Sequence, residues 1–320
     1  MEIMVGAVDA TEDVLTSIAR FNKRIWPDAD DIGIEKVRWA FGGNPLGRAP
    51  LLVATGKSGE VLGVRGGIPW SVDLGDGLRR TAVQLHGTGI DESIRRRGVF
   101  SRMTRDFLEL SHAQRIPLIF NVSVSASRAG YERLGWTYVD SLRSMFLPVR
   151  PDRIVPELLG GKPRTRADWS FDPTPPPVYS DITALLERRN CELSGGMHTT
   201  YDSNFFSWRF DSDKYRWLGN AESGLIVYRV RSRGTLRELL IGDVWPGVKS
   251  VHYLIRRAIL KERPDLVTSW TTTEHPLYRR LRRMGFLVQP GRALHLGLRH
   301  PDGRTPSMRC ALMAADIDTF

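Results

Sequence analysis

The hydrophobic pattern of this chain changes period several times, from strand-like alternation to helical spacing and back. A strand-like run near 3–8 leads to a helical pattern over 11–25. There Thr11 can cap the first turn, and Glu12 and Asp13 suit its positive end. A second helix is expected at 32–41. Strands follow at 51–55, 60–70 and 79–90, then a basic turn, a helix to residue 114 and a buried strand at 117–124. Ser127 to Gly135 reads as a short helix ending on glycine, with another strand at 137–142. Gly63-Val-Arg-Gly-Gly67 lies inside a strand pattern, where a bulge or a close backbone approach is expected.

Between 148 and 178 the periodicity stops. Pro148, Pro151, Pro156, Pro163, Pro173 and the run Pro175-Pro-Pro177, with Gly160-Gly161, predict an extended linker with room for one short helix. The second half then repeats the first in outline. A helix is expected at 180–190, strands at 214–218, 224–230 and 236–244, a helix at 248–262, a strand at 266–271 and a helix at 275–283. Met284-Gly-Phe286 echoes Leu134-Gly-Trp136, which suggests an internal duplication. The expected organisation is a domain over 1–147, a linker over 148–178 and a second domain over 179–320.

Composition narrows the classes. At 320 residues, 41% hydrophobic and 26% charged, the chain is long enough for two cored domains and reads as a globular protein. No apolar run reaches the ~20 residues of a membrane span. Cys191 and Cys310 stand in separate contexts, and no leader pattern opens the chain, so a cytoplasmic location is expected. The net charge of +10 asks for an anionic ligand or partner. Arg256-Arg257 and the arginines at 279, 280, 282 and 283 read as solvated helix faces. Nucleic acid is disfavoured as a partner, because no zinc-finger spacing, basic zipper or RNP-like segment is present.

The basic turn carries the chemistry. Ile94-Arg-Arg-Arg-Gly-Val-Phe-Ser-Arg-Met103 joins a strand to a helix, and unpaired N–H groups at a helix start attract anions. Arg95, Arg96 and Arg97 add donors suited to phosphate, and Gly98 lets the backbone turn tightly. The simplest alternative is a basic surface turn. The segment resembles the acyl-CoA loop of the GNAT N-acetyltransferase superfamily, Arg/Gln-x-x-Gly-x-Gly/Ala. Arg95 and Gly98 match that loop, while Phe100 stands where a small residue is usual. Tyr131, Leu134, Gly135 and Trp136 match the family's Tyr-x-x-Leu-Gly-Phe phrase.

The resemblance implies a mixed α/β fold: two tandem GNAT-like domains, each a mostly antiparallel mixed sheet flanked by helices, of a kind familiar in bacteria. It implies acetyl-CoA as cofactor, with the pyrophosphate held by residues 95–101, including Val99, Phe100 and Ser101. It also implies that backbone N–H groups of Thr88, Gly89 and Ile90 polarise the thioester. Tyr131 would protonate the departing thiolate, or else serve only as a core residue. The family's frequent glutamate base falls at Gln84, which cannot accept a proton. His86, two residues along, is the candidate base or a structural histidine, and Asp91 and Glu92 could act through water. The second half lacks the loop: Asp243-Val-Trp-Pro-Gly-Val-Lys249 stands in its place, and Leu281 replaces the tyrosine. The expected activity is N-acetylation of a small-molecule primary amine, such as an amino sugar or an amino-acid-like acceptor. The alternatives are an inactive CoA-binding regulatory protein and a basic nucleic-acid-associated protein.

Overall fold

Thr11 caps the first helix through its hydroxyl, which accepts from the Val14 N–H, and the acidic residues that follow face the positive end of the helix dipole. From this start the computed structural model describes residues 2–27, 29, 32–158, 177–246, 251–303 and 308–317. The first elements are β1 (Met4–Ala7), α1 (Glu12–Ile25), α2 (Ile34–Phe41), β2 (Leu51–Thr55), β3 (Val61–Asp73) and β4 (Arg79–Ile90). They are followed by α3 (Val99–Ala113), β5 (Ile119–Ser123), α4 (Ser125–Glu132), β6 (Thr137–Pro148) and α5 (Pro151–Leu158). The second half contains α6 (Tyr179–Leu193), β7 (His198–Thr199), α7 (Ser203–Arg209), β8 (Arg216–Asn220), β9 (Gly224–Arg233) and β10 (Leu236–Pro246). After these come α8 (Val251–Glu262), β11 (Leu266–Thr271), α9 (Pro276–Arg283) and β12 (Leu287–Arg299). Most of the Pro-rich stretch, residues 159–176, lies outside the described residues. No described helix is long and apolar enough to cross a membrane.

The chain divides into two compact units. One comprises the described residues of Met1–Val72, Arg79–Val139 and His295–Ser307; the other those of Asp73–Leu78, Asp140–Leu294 and Met308–Phe320. In the first unit the strands run in the order β1-β2-β3-β4-β5, and the end of β12 follows β5. β1/β2 and β2/β3 are antiparallel, β4/β5 is parallel, and His295–Arg299 pairs antiparallel with Ile119–Ser123. In the strand at 294–298, Leu294, Leu296 and Leu298 alternate with polar or small residues over only five positions. Pro290-Gly291 breaks the run before it, and no strand is expected there from local periodicity. Two helices sit directly on the β3 backbone. A Cβ on Gly66 would lie 2.4 Å from the Phe41 ring of α2, and one on Gly67 would lie 2.9 Å from Phe107 of α3. The glycine-rich stretch of β3 is therefore a packing surface.

In the second unit β8/β9 and β9/β10 are antiparallel, β10/β11 is parallel, and β11 pairs antiparallel with the Arg143–Pro148 part of β6. Its sequence of strand directions repeats that of the first unit. So do the helix ends. Trp136 N–H reaches Tyr131 C=O across left-handed Gly135, and Phe286 N–H reaches Leu281 C=O across left-handed Gly285.

Buried charge holds the second unit's tail. Arg189, only 3% exposed, donates through Nε to Asp243 at 2.7 Å, through Nη2 to Asp316 at 3.1 Å, and through Nη1 to the Thr199 carbonyl at 2.8 Å. Arg209 donates to the carbonyls of Ala315 and Ile317. Removing one partner from such a network strands a charge in a low-dielectric interior, typically at about 3–5 kcal/mol.

His275 gives this unit an acid-sensitive point. Its Nδ1 accepts the Leu277 N–H that starts α9, which requires the neutral ring. Burial pushes its pKa down to about 3. Between that value and the ordinary histidine value near 6.5, unfolding takes up a proton, so stability falls as pH falls through this window. His198, also lowered by burial, acts in the same direction. His275→Asn keeps a capping oxygen and removes the titration. The unfolding free energy from urea titrations should then fall less steeply from pH 6.5 to 4.5 than in wild type, by up to about 1.4 kcal/mol per pH unit. An unchanged pH dependence would show that His275 does not carry it.

Candidate active site

The parallel ladder between β4 and β5 has two rungs, Val83↔Ile119 and Gln84↔Phe120. Beyond them β4 runs on to Ile90 and β5 to Ser123. Gly87 interrupts β4 with φ +63°. Before this kink, His86 packs its ring 5.7 Å from that of Phe41 on α2, and Gln84 is fully buried. After it, Thr88 turns toward α3 and α4. Gly89 lies under α1, where a Cβ would come within 2.4 Å of Ile25. On β5, just past the last rung, the buried Asn121 side chain has neither its oxygen nor its nitrogen in a hydrogen bond. Its oxygen lies against β12, where a Cβ on Gly297 would come within 2.5 Å of it.

The chain leaves β4 through a short 3-10 turn at Glu92–Ile94, capped by Asp91. The Asp91 carboxyl is held below the usual range by hydrogen bonds from the Ser93 hydroxyl and backbone, with Arg24 3.1 Å away. Arg95 Nε donates to the Ile90 carbonyl at 3.1 Å, fastening the end of the strand. Arg96 and Gly98 then take left-handed φ values of +63° and +74°. Successive backbone N–H groups in such a turn form a concave anion site. α3 begins at Val99 without a side-chain cap, so the N–H groups of its first turn add to the same surface. Arg95, Arg96 and Arg97 are exposed, and Ser101 is half-buried in the first turn.

Val99 is buried, and Phe100 turns inward, its ring edge-on to Tyr131 at 5.6 Å. The bulky residue of the turn thus builds the wall behind Tyr131 and leaves the turn open. Tyr131 is 5% exposed, with Trp136 against its other edge at 5.2 Å. Its hydroxyl accepts from Arg65 Nη1 at 2.8 Å, and the same nitrogen donates to Thr88 Oγ1 at 2.9 Å. Arg65 on β3 therefore ties the end of β4 to α4. The structure brings together Thr88, Phe100 and Tyr131 from the expected site, while His86 belongs to the α2 side of the kinked strand. Sequence reasoning missed Arg65 and Asn121, because nothing local distinguishes a buried polar side chain from an exposed one.

Residues 9–139 match the family model described as an acetyltransferase (GNAT) domain. A search among curated proteins finds no match to the sequence. Among solved structures the chain resembles a GCN5-related N-acetyltransferase from Kribbella flavida. The TM-score is 0.65 at 16% identity, over 94% of this chain and 72% of that one. A GCN5-related N-acetyltransferase from Anabaena variabilis gives 0.63 at 14% identity, over 93% and 73% of the two chains. Eis1 from Mycobacterium abscessus gives 0.56 at 13% identity, over 94% and 74%. At these identities the likeness establishes a shared fold.

The left-handed backbone at Gly98 makes a specific demand. A Cβ there would meet no neighbour, so a substitution acts through conformation alone. Gly98→Val should weaken CoA binding roughly 5- to 30-fold, the equivalent of about 1–2 kcal/mol for a side chain in that region. Gly98→Asn, which tolerates the conformation, should cost less. Calorimetric titration with CoA checks both, and equal affinities for wild type and the valine variant would show that this turn holds no part of the ligand.

Proposed function

We propose that this chain, whose residues 9–139 match the acetyltransferase (GNAT) domain model, transfers the acetyl group of acetyl-CoA to a primary amine of a small molecule. The observation that carries the reading is the continuity of three features. A two-rung strand pair opens, the strand runs into an uncapped basic turn, and a tyrosine hydroxyl is held beside the end of that strand. The turn at 95–101 would hold the pyrophosphate. Bound acetyl-CoA supplies the acetyl group as a thioester.

The chain's residues then divide the work. Backbone N–H groups at Thr88, Gly89 and Ile90 stabilise the charge that develops on the carbonyl oxygen. His86 receives the proton that the attacking amine loses as its nitrogen bonds to the acetyl carbon. Tyr131 gives its hydroxyl proton to the sulfur as the carbon–sulfur bond breaks. Gln84 serves as a polar neighbour of this path and takes no proton. The buried Gln84, standing where many family members carry a base, also favours a second reading, a CoA-binding protein without turnover.

Release of free thiol from acetyl-CoA across a panel of amino sugars, amino acids and polyamines separates these readings. Turnover with at least one amine is expected, whereas CoA binding without thiol release would favour the second reading. Tyr131→Phe and His86→Ala should each lower kcat by on the order of 10²–10⁴-fold with CoA affinity nearly intact. A rate unchanged in either variant removes that residue from the mechanism.

One CoA should bind per chain. In the second unit Asp243, at the place along β10 that corresponds to the entry to the turn, is buried against Arg189 and Trp245. A carboxylate there repels pyrophosphate. Residues 247–249 of the corresponding segment lie outside the described residues. Calorimetric stoichiometry near one supports this assignment, and a value of two would place a second site in the other unit.

A further inference from the structure

The first unit buries one guanidinium in a setting where a neutral side chain would be easier to bury. Arg65 has no exposed surface, and its Nε and Nη2 make no hydrogen bond. Its two hydrogen bonds both leave from Nη1 and both end on hydroxyls, those of Thr88 and Tyr131. Around it lie ring faces. The guanidinium carbon is 5.2 Å from the Tyr131 centroid, 5.3 Å from Phe100 and 5.8 Å from Phe107. Aromatic faces attract a cation but do not replace the water it has lost. Methionine would fill similar space with no charge to desolvate, so packing alone does not account for arginine here.

The direction of the hydrogen bonds supplies an account. Arginine has five donors and no acceptor, so the Tyr131 oxygen must accept from it. A phenolic hydrogen lies near the ring plane in one of two positions. With Arg65 on one side of the oxygen, the hydrogen is turned to the other. The ring itself is fixed between Phe100 and Trp136. When the proton leaves, the oxygen that remains is anionic, and a guanidinium already stands 2.8 Å from it.

We infer that Arg65 is a positioning residue for acyl transfer: it aims the Tyr131 proton toward the departing sulfur and balances the charge left behind. This rests on the reading of the site as an acyltransferase. In the step, the carbon–sulfur bond breaks, the sulfur keeps the electron pair and takes the Tyr131 proton, and the phenolate regains a proton from solvent before the next cycle.

The test is a double-mutant cycle with acetyl-CoA and the best amine of the panel. Arg65→Met should lower kcat by roughly 10- to 100-fold, part of what a general acid contributes. The KM for acetyl-CoA should stay within about threefold, because Arg65 acts on the proton and leaves the phosphate turn untouched. Arg65→Lys, which keeps a cationic donor, should recover part of the rate. In a Tyr131→Phe background, neither substitution should lower kcat further. If Arg65→Met does not fold, Arg65→Lys in the same cycle gives the same comparison.

Full activity in a folded Arg65 variant would overturn the inference, as would losses that add to that of Tyr131→Phe. Absence of thiol release by wild type with every amine would overturn the acyl-transfer reading and this inference together. Turnover by wild type that is indifferent to Arg65 would overturn this inference alone.

Discussion

Past Gln84 and Phe120 the backbones of β4 and β5 stop meeting, and each polar group beyond that point must find a partner elsewhere or keep one in reserve. Much of the first unit follows from this break. Gly89 is pressed under α1 because the strand bends there, and Arg95 reaches back to fasten the Ile90 carbonyl. Asn121 keeps both side-chain atoms open. A continuous ladder would have closed the space between the two strands. The sheet gives up pairing at its centre, and a site becomes possible in the gap.

The second unit has the same sequence of strand directions and the same glycine-ended helix, yet its interior is organised differently. β10 carries a bulge between Ile241 and Asp243, and the Asp243 carboxylate meets Arg189. Asp316 completes the group, drawing the segment at 310–317 into the fold. The carboxylate at this point of β10 is thus already engaged by the protein's own arginine. Two units with one architecture thus carry different side chains at corresponding strand ends, which is why a fold alone does not assign chemistry.

Local signals in the sequence were enough for much of this. The cap at Thr11, the periodicity of α1 and α3, the basic turn and the glycine after Leu134 each depend on near neighbours, and each formed where the pattern placed it. The parts that were not legible depend on distant neighbours. β12 pairs with β5 across most of the chain, and Pro290-Gly291 hides its alternation. Arg65 sits among glycines in a strand pattern, and only the arrival of α3 and α4 on that face makes it a buried cation. Phe100 departs from the small residue usual in its motif. Its inward turn against Tyr131 is a tertiary fact that no motif position records.

The pairing of His295–Arg299 with β5 also bears on how the molecule is made. The first unit cannot close its sheet until residues 124–294 have been synthesised. At roughly 5–20 residues per second that is on the order of 10–30 s. Throughout that interval the β5 edge stands ready to accept another strand, and an open edge is a template for pairing with neighbouring chains. Vectorial folding from the N-terminus, the ordinary route for tandem domains, is closed to this chain. Its first unit is begun early and completed only after most of the second has been made.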